Sequence, residues 1–157
     1  MKCTFLALGK TDEPWLKQGI DIYKKRLGRY VALEWVEYAS PKKWSALPPE
    51  QLMAREAEIM EQHMGRADFV VLLDERGKMM RSVEFAGFLQ QRMNQSVKNL
   101  LFVVGGAWGF HPGIYEKAHL KLSLSPMTFS HQMIRPFFAE QLYRAFTILR
   151  NEAYHNE

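Results

Sequence analysis

The sequence is short of several things that mark common protein classes. It has a single cysteine, Cys3, so no internal disulfide can form and a disulfide-stapled secreted scaffold is excluded. No run approaches the roughly 18 uninterrupted apolar residues needed to span a bilayer, so no membrane contact is expected. The first residues lack a charged region followed by an apolar stretch, so no signal peptide is expected and the expected location is cytoplasmic. There is no block of like charge either. Residues 1–60 carry ten basic and eight acidic side chains, 61–99 six and five, and 100–157 five and four, so any basic surface must be assembled by the fold. The net charge of +4 permits an anionic partner without demanding one.

Standard catalytic strings are missing too. After the first apolar run, Leu8-Gly9-Lys10-Thr11 offers one glycine, not G-x-G-x-x-G, and no G-x-x-x-x-G-K-[ST] occurs. The histidines (63, 111, 119, 131 and 155) show no metal-ligand spacing, so no metal is expected. No G-x-S-x-G elbow exists, and Cys3 sits inside an apolar run, so nucleophilic catalysis finds no candidate.

What is present is an alternation of strands and helices in a chain of 157 residues, the size of one domain over 1–157. Strand patterns fall at 2–8, 31–38, 68–74 and 99–104, with a weaker one at 120–124. The runs DFVVLLD and NLLFVV are almost wholly apolar, as in strands covered on both faces. Helical patterns fill 13–27, 50–64, 83–95 and 131–150. Asp12 and Ser82 are placed to cap two of them, and Gly28 to end the first in a left-handed conformation. This order predicts an α/β fold, a mostly parallel sheet with helices on both faces.

Three segments at strand ends are not explained by packing: Leu73 to Lys78, Gly105 to Gly109, and Leu124 to Gln132. In open α/β sheets ligands bind beyond the carboxyl ends of strands, where these segments could converge. Glycines 105, 106 and 109 would let main chain approach a ligand, or would merely turn the chain. Leu124 to Phe129 mixes apolar, small and hydroxyl residues, which suits a flat heteroaromatic ring, or equally a capped connector. On or beyond the last helix lie Arg144, Tyr154 and His155. The histidine is the one side chain that titrates near neutrality.

The strings FVVGGAWGF, LSPMTFSHQMIR and EQLYRAFTILRNEAYH, with LALGK and LLDERGKMMRSVEFA before them, occur in an order that resembles the RlmH-type ribosomal RNA large-subunit methyltransferases of the SPOUT superfamily. The resemblance spans essentially the whole chain. It implies a C-terminal trefoil knot, a homodimer using the last helix, and methyl transfer from S-adenosyl-L-methionine to N3 of a pseudouridine in large-subunit rRNA. It implies a cofactor site of Leu73, Gly105, Leu124, Ser125, Pro126, Met127, Thr128 and Phe129. Arg144, Tyr154 and His155 would border the target nucleotide: Arg144 for the developing anion or a phosphate, Tyr154 to orient the base, and His155 or a water for the proton. It gives the phenylalanines 137, 138 and 146 a place in the dimer interface as well as in the core. Two departures stand out. Ser130 replaces a usual proline, and Pro136 replaces a usual aliphatic residue where it could shift the angle at which the last helix enters. The competing readings are a ribosome- or RNA-binding protein without catalysis, and a SPOUT methyltransferase acting on tRNA.

Overall fold

The near-continuous apolar runs form the middle of a sheet, because each must satisfy two hydrophobic layers. In the computed structural model, which describes residues 1–155, five strands run in parallel in the order β2-β1-β4-β3-β5. They are β1 (Lys2–Leu8), β2 (Ala32–Tyr38), β3 (Phe69–Met79), β4 (Asn99–Val104) and β5 (Leu120–Ser123). The helices are α1 (Pro14–Leu27), α2 (Pro49–Met64), α3 (Ser82–Asn94), α4 (Pro112–Lys117) and α5 (Ile134–Leu149), and a 3-10 turn occupies Lys42–Ala46.

Alternate strand residues feed two cores. Phe5, Val71 and Phe102 face Leu27 of α1, Leu89 of α3 and Phe138 of α5. Leu6, Leu72 and Val103 face the other way, against Met60 of α2 and Ile114 of α4. Both faces are therefore covered, and period-2 side-chain alternation makes every position of β4 after Asn99 apolar.

Several local expectations are corrected. The helix expected from 131 begins at Ile134, because Ser130 first closes a turn by accepting the Met133 amide at 3.1 Å. Glu13, not Asp12, precedes α1, and Arg81, not Ser82, precedes α3, where Glu84 accepts the Arg81 amide at 2.7 Å. Gly28 has φ −56°, an ordinary right-handed value, so no glycine is required there. Pro136 stands in the first turn of α5, where its missing N–H leaves no helical bond unmade. A β-carbon placed on Gly19 of α1 would lie 3.8 Å from the Pro136 ring, so the two helices have room for each other here. Phe138 and Phe146 are buried in this chain's own core, so of the three phenylalanines only Phe137, 45% exposed, is free to meet a partner.

The largest difference is at Leu73–Lys78. It is not a loop but the second half of β3, which rejoins β5 after a register shift between Leu73 and Lys78. Gly77 makes this pairing possible: a β-carbon there would lie 2.6 Å from the Lys121 main chain.

Candidate functional site

The carboxyl ends of β3, β4 and β5 are neighbours in the sheet, and a cavity of about 670 Å³ opens beyond them. Its floor is Leu73, Val104 and Leu122, the last buried apolar residues of the three strands. One wall is the turn Gly105 to Phe110 and the other is the loop from Leu124 to His131. The volume is in the range of small-molecule sites, roughly 300–1,000 Å³.

Both walls are held by the chain itself. In the first, Gly106 and Gly109 bridge each other, and only Gly109 has a left-handed φ, +81°. A β-carbon on Gly105 would meet the Gly109 carbonyl at 2.9 Å, so Gly105 is required by the turn's own geometry. In the second wall, Ser123 Oγ donates to the Ser125 carbonyl at 2.9 Å, and Ser125 Oγ accepts the Met127 amide at 3.0 Å. The Phe129 ring packs on Phe137 of α5 with centroids 4.9 Å apart.

Beneath this loop lies Arg135, fully buried. Its Nε donates to the His131 carbonyl at 2.9 Å, Nη1 to Thr11 Oγ1 at 2.9 Å, and Nη2 to the Leu8 carbonyl at 3.0 Å. Glu37 is its counter-charge at 3.7 Å. Burial opposes ionisation of Glu37, but hydrogen bonds from Thr11 and Trp35 and then the charge of Arg135 outweigh it and lower its pKa. A rigid guanidinium fork thus fastens the start of α5 to the end of β1.

Comparison with known proteins places this architecture. The family model described as "Predicted SPOUT methyltransferase" matches residues 1–155. The chain belongs to the SPOUT methyltransferase family. It is 47% identical over 156 residues to a protein of Christiangramia forsetii named "Ribosomal RNA large subunit methyltransferase H", covering 99% of both chains. It is also 47% identical to a protein of the same name from Flavobacterium johnsoniae, over the full length of both. Among solved structures it is similar to a probable methylase family protein from Haemophilus influenzae. That match has TM-score 0.57 at 11% identity and covers 99% of this chain and 70% of the other. A probable methyltransferase from Bordetella pertussis also gives TM-score 0.57, at 13% identity, with 92% and 96% covered. These two likenesses concern the fold.

In this SPOUT methyltransferase, seven of the eight residues expected around the cofactor line the cavity: Leu73, Gly105, Leu124, Ser125, Met127, Thr128 and Phe129. Pro126 does not. The other three expected residues form a separate cluster at the end of α5. Arg144 binds Glu140 through Nη2 at 2.6 Å and Nε at 3.0 Å, its Nη1 lies 3.3 Å from His155 Nδ1, and its guanidinium covers the Tyr154 ring. Tyr154 also donates to Glu140 at 3.1 Å. Burial, a hydrogen bond with Tyr23 and the Glu140 charge push the Tyr154 hydroxyl well above its ordinary pKa, so it stays protonated. None of the three lines the cavity of its own chain.

Among the other lining residues, His131, Asp74 and Trp108 fall within the three segments expected at the strand ends, although no local pattern assigns them a role. His131 is one of five histidines. Burial, and then the charge of Arg135, lower its pKa and favour the neutral ring. Asp74 is held by the Tyr115 hydroxyl, a partner 41 residues away that no local pattern shows. Trp108, 61% exposed, and Met127, 78% exposed, stand at the rim. Among the described residues no group of three His, Cys, Asp or Glu side chains could hold a metal ion, and no helix is long and apolar enough to cross a membrane.

Proposed function

We propose that this chain, acting as a single domain over 1–157 with the knot its resemblance implies, transfers a methyl group from S-adenosyl-L-methionine to N3 of a pseudouridine in 23S rRNA. The reading is supported by full-length identity of 41–47% to proteins named for large-subunit rRNA methylation. The cavity suits this cofactor: an apolar floor for a flat base, and two walls rich in main-chain donors and acceptors for its polar groups. When bound, the cofactor supplies a methyl group on a sulfonium, ready for in-line displacement.

The chain's own part is binding, alignment and proton handling. Leu73, Gly105 and the Leu124–Phe129 loop hold the donor. His155 or a water would accept the N3 proton as the methyl group moved from sulfur to N3. Tyr154, a neutral phenol, orients the base, and Arg144 carries the charge that meets the developing anion or a phosphate. Because Arg144, Tyr154 and His155 lie away from the cavity of their own chain, a second copy must present them, and the working unit is a homodimer in the cytoplasm acting on rRNA in the assembled large subunit.

The test compares ribosomes, free 23S rRNA and a short hairpin as methyl acceptors, with full-length protein and with protein ending at Ala153. Ribosomes should be methylated best, and the truncation should reduce methylation far more than cofactor binding. Mass spectrometry of rRNA from cells lacking the gene should show one methylpseudouridine lost. Cofactor binding without any methyl transfer would identify a binding protein, and methylation of tRNA alone would move the substrate elsewhere.

A further inference from the structure

Glu56 is a buried acid that the mechanism above does not use. It lies on α2 one turn after Met53, which lines the cavity, and is 6% exposed. Among the described residues it has no hydrogen-bond or ion-pair partner. Its carboxyl group presses on the glycine turn: a β-carbon at Gly106 would lie 2.5 Å from Oε1 and 2.6 Å from Oε2. Gly106 itself lines the cavity, so the carboxyl group sits directly against a residue of the wall.

For folding alone this arrangement is poor. An unpaired buried carboxyl is costly, and an apolar side chain would fill the space better. It becomes useful when a cation occupies the cavity, because a largely buried charge is screened less than one in open water. On the reading proposed above, the donor carries a sulfonium charge that its thioether product has lost. We propose that Glu56 determines cofactor specificity: its carboxylate, behind Gly106, favours the cationic sulfonium donor over the spent neutral thioether, so that product is exchanged for fresh donor.

The other carboxylates of the cavity have partners that Glu56 lacks: Asp74 accepts the Tyr115 hydroxyl and the Arg76 amide, and Glu75 lies 3.9 Å from the Arg76 guanidinium. On α4, which packs on α2, Lys117 is paired with Glu61, Tyr115 with Asp74, and Glu116 is on the same short helix. His111 at its start accepts the Gly113 amide. On α2 itself Arg55 is paired with Glu58, and β4 has no ionisable side chain. Burial is the one cause that raises the pKa of Glu56, to about 7, so a bound cation shifts its ionisation within the neutral range.

Calorimetric titration with S-adenosylmethionine and with S-adenosylhomocysteine, from pH 6 to 8, tests this in the wild type and in Glu56→Gln. The wild type should prefer the sulfonium donor by about tenfold more than the variant does at pH 8, and by less at pH 6. Titration of the ligands' own amino groups is common to both proteins and cancels. In buffers of different ionisation enthalpy, the wild type should release about half a proton more with donor than with product near pH 6.5. Equal preferences in the two proteins, or equal proton release with the two ligands, overturn the proposal while leaving the methyltransferase reading intact. If Glu56→Gln does not fold, Glu56→Met takes its place as the reference protein, so that the ligands' own titrations still cancel. Failure of both ligands to bind at any pH overturns the reading on which the proposal rests, and the proposal with it.

Discussion

A buried and a half-buried carboxyl group pull stability in opposite directions with pH. Glu56 has a folded pKa of about 7 against 4.5 when exposed, so its neutral form supports the fold at low pH. That support is complete below about 4.5 and is lost as pH rises through 7. Glu56→Gln should therefore raise the urea midpoint at pH 8 relative to wild type, and much less at pH 4. Glu37 has the reverse sign. Its folded pKa is depressed, so its contribution is present above the unfolded value and lost as pH falls through the folded one. Its partner Arg135 makes three hydrogen bonds in full burial. Arg135→Met should remove about 3 kcal/mol in urea unfolding, because the Leu8 and His131 carbonyls lose their buried donor, while Glu37 keeps its hydrogen bonds from Thr11 and Trp35. Unchanged stability would show that the fork is incidental.

The cavity exists because two irregular elements are held close to the strand ends. In the Gly105–Gly109 turn, main-chain crowding, not ligand contact, requires the first glycine. Gly105→Val should push the Gly109 carbonyl aside and abolish binding of S-adenosylmethionine, with helical circular dichroism retained. Wild-type affinity by calorimetry would remove this turn from the site. The β3 extension is the second such element. At Gly77 a side chain would strike the β5 main chain at 2.6 Å, so Gly77→Val should separate β3 from β5. Because the second wall begins where β5 ends, donor affinity should fall in step with a lower melting temperature. A variant that melts lower but binds normally would show that the wall does not depend on this pairing.

For the whole molecule, most of the apolar stripe of α5 is consumed internally: Phe138, Leu142 and Phe146 are in the core. The surface left for a partner is Phe137 on α5, with Trp15 and Ile22 exposed on α1, the helix packed beside it. Exposed apolar groups on two adjoining helices are the surface a homodimer would cover. Sedimentation equilibrium at low micromolar concentration should give about twice the 18.4 kDa of one chain. A monomer would overturn the proposal that a second copy presents Arg144, Tyr154 and His155 to the cavity. With few basic residues on any one segment, affinity for isolated rRNA should be weak, and a salt titration should show a shallow fall, about 0.7–0.9 log units per decade for each of a few neutralised phosphates.

The parallel two-faced sheet was legible in the chain because burial on both faces leaves runs such as LLFVV that no other arrangement explains as well. The place of the cavity followed from those strand ends, together with the glycines and the loop 124–129. Caps, the β3 extension, the partners of Asp74 and Arg135 and the place of Glu56 against Gly106 were not legible, since each depends on atoms brought together across tens of residues. Gly77 reads as a turn until β5 is known to cross it at van der Waals distance. Glu56 reads as one more helix-surface acid until α2 is laid against Gly106. Local chemistry and periodicity thus determine which elements form and which faces are buried. Which buried charge meets which partner is decided only when the chain closes on itself, because the energies involved arise from burial and distance.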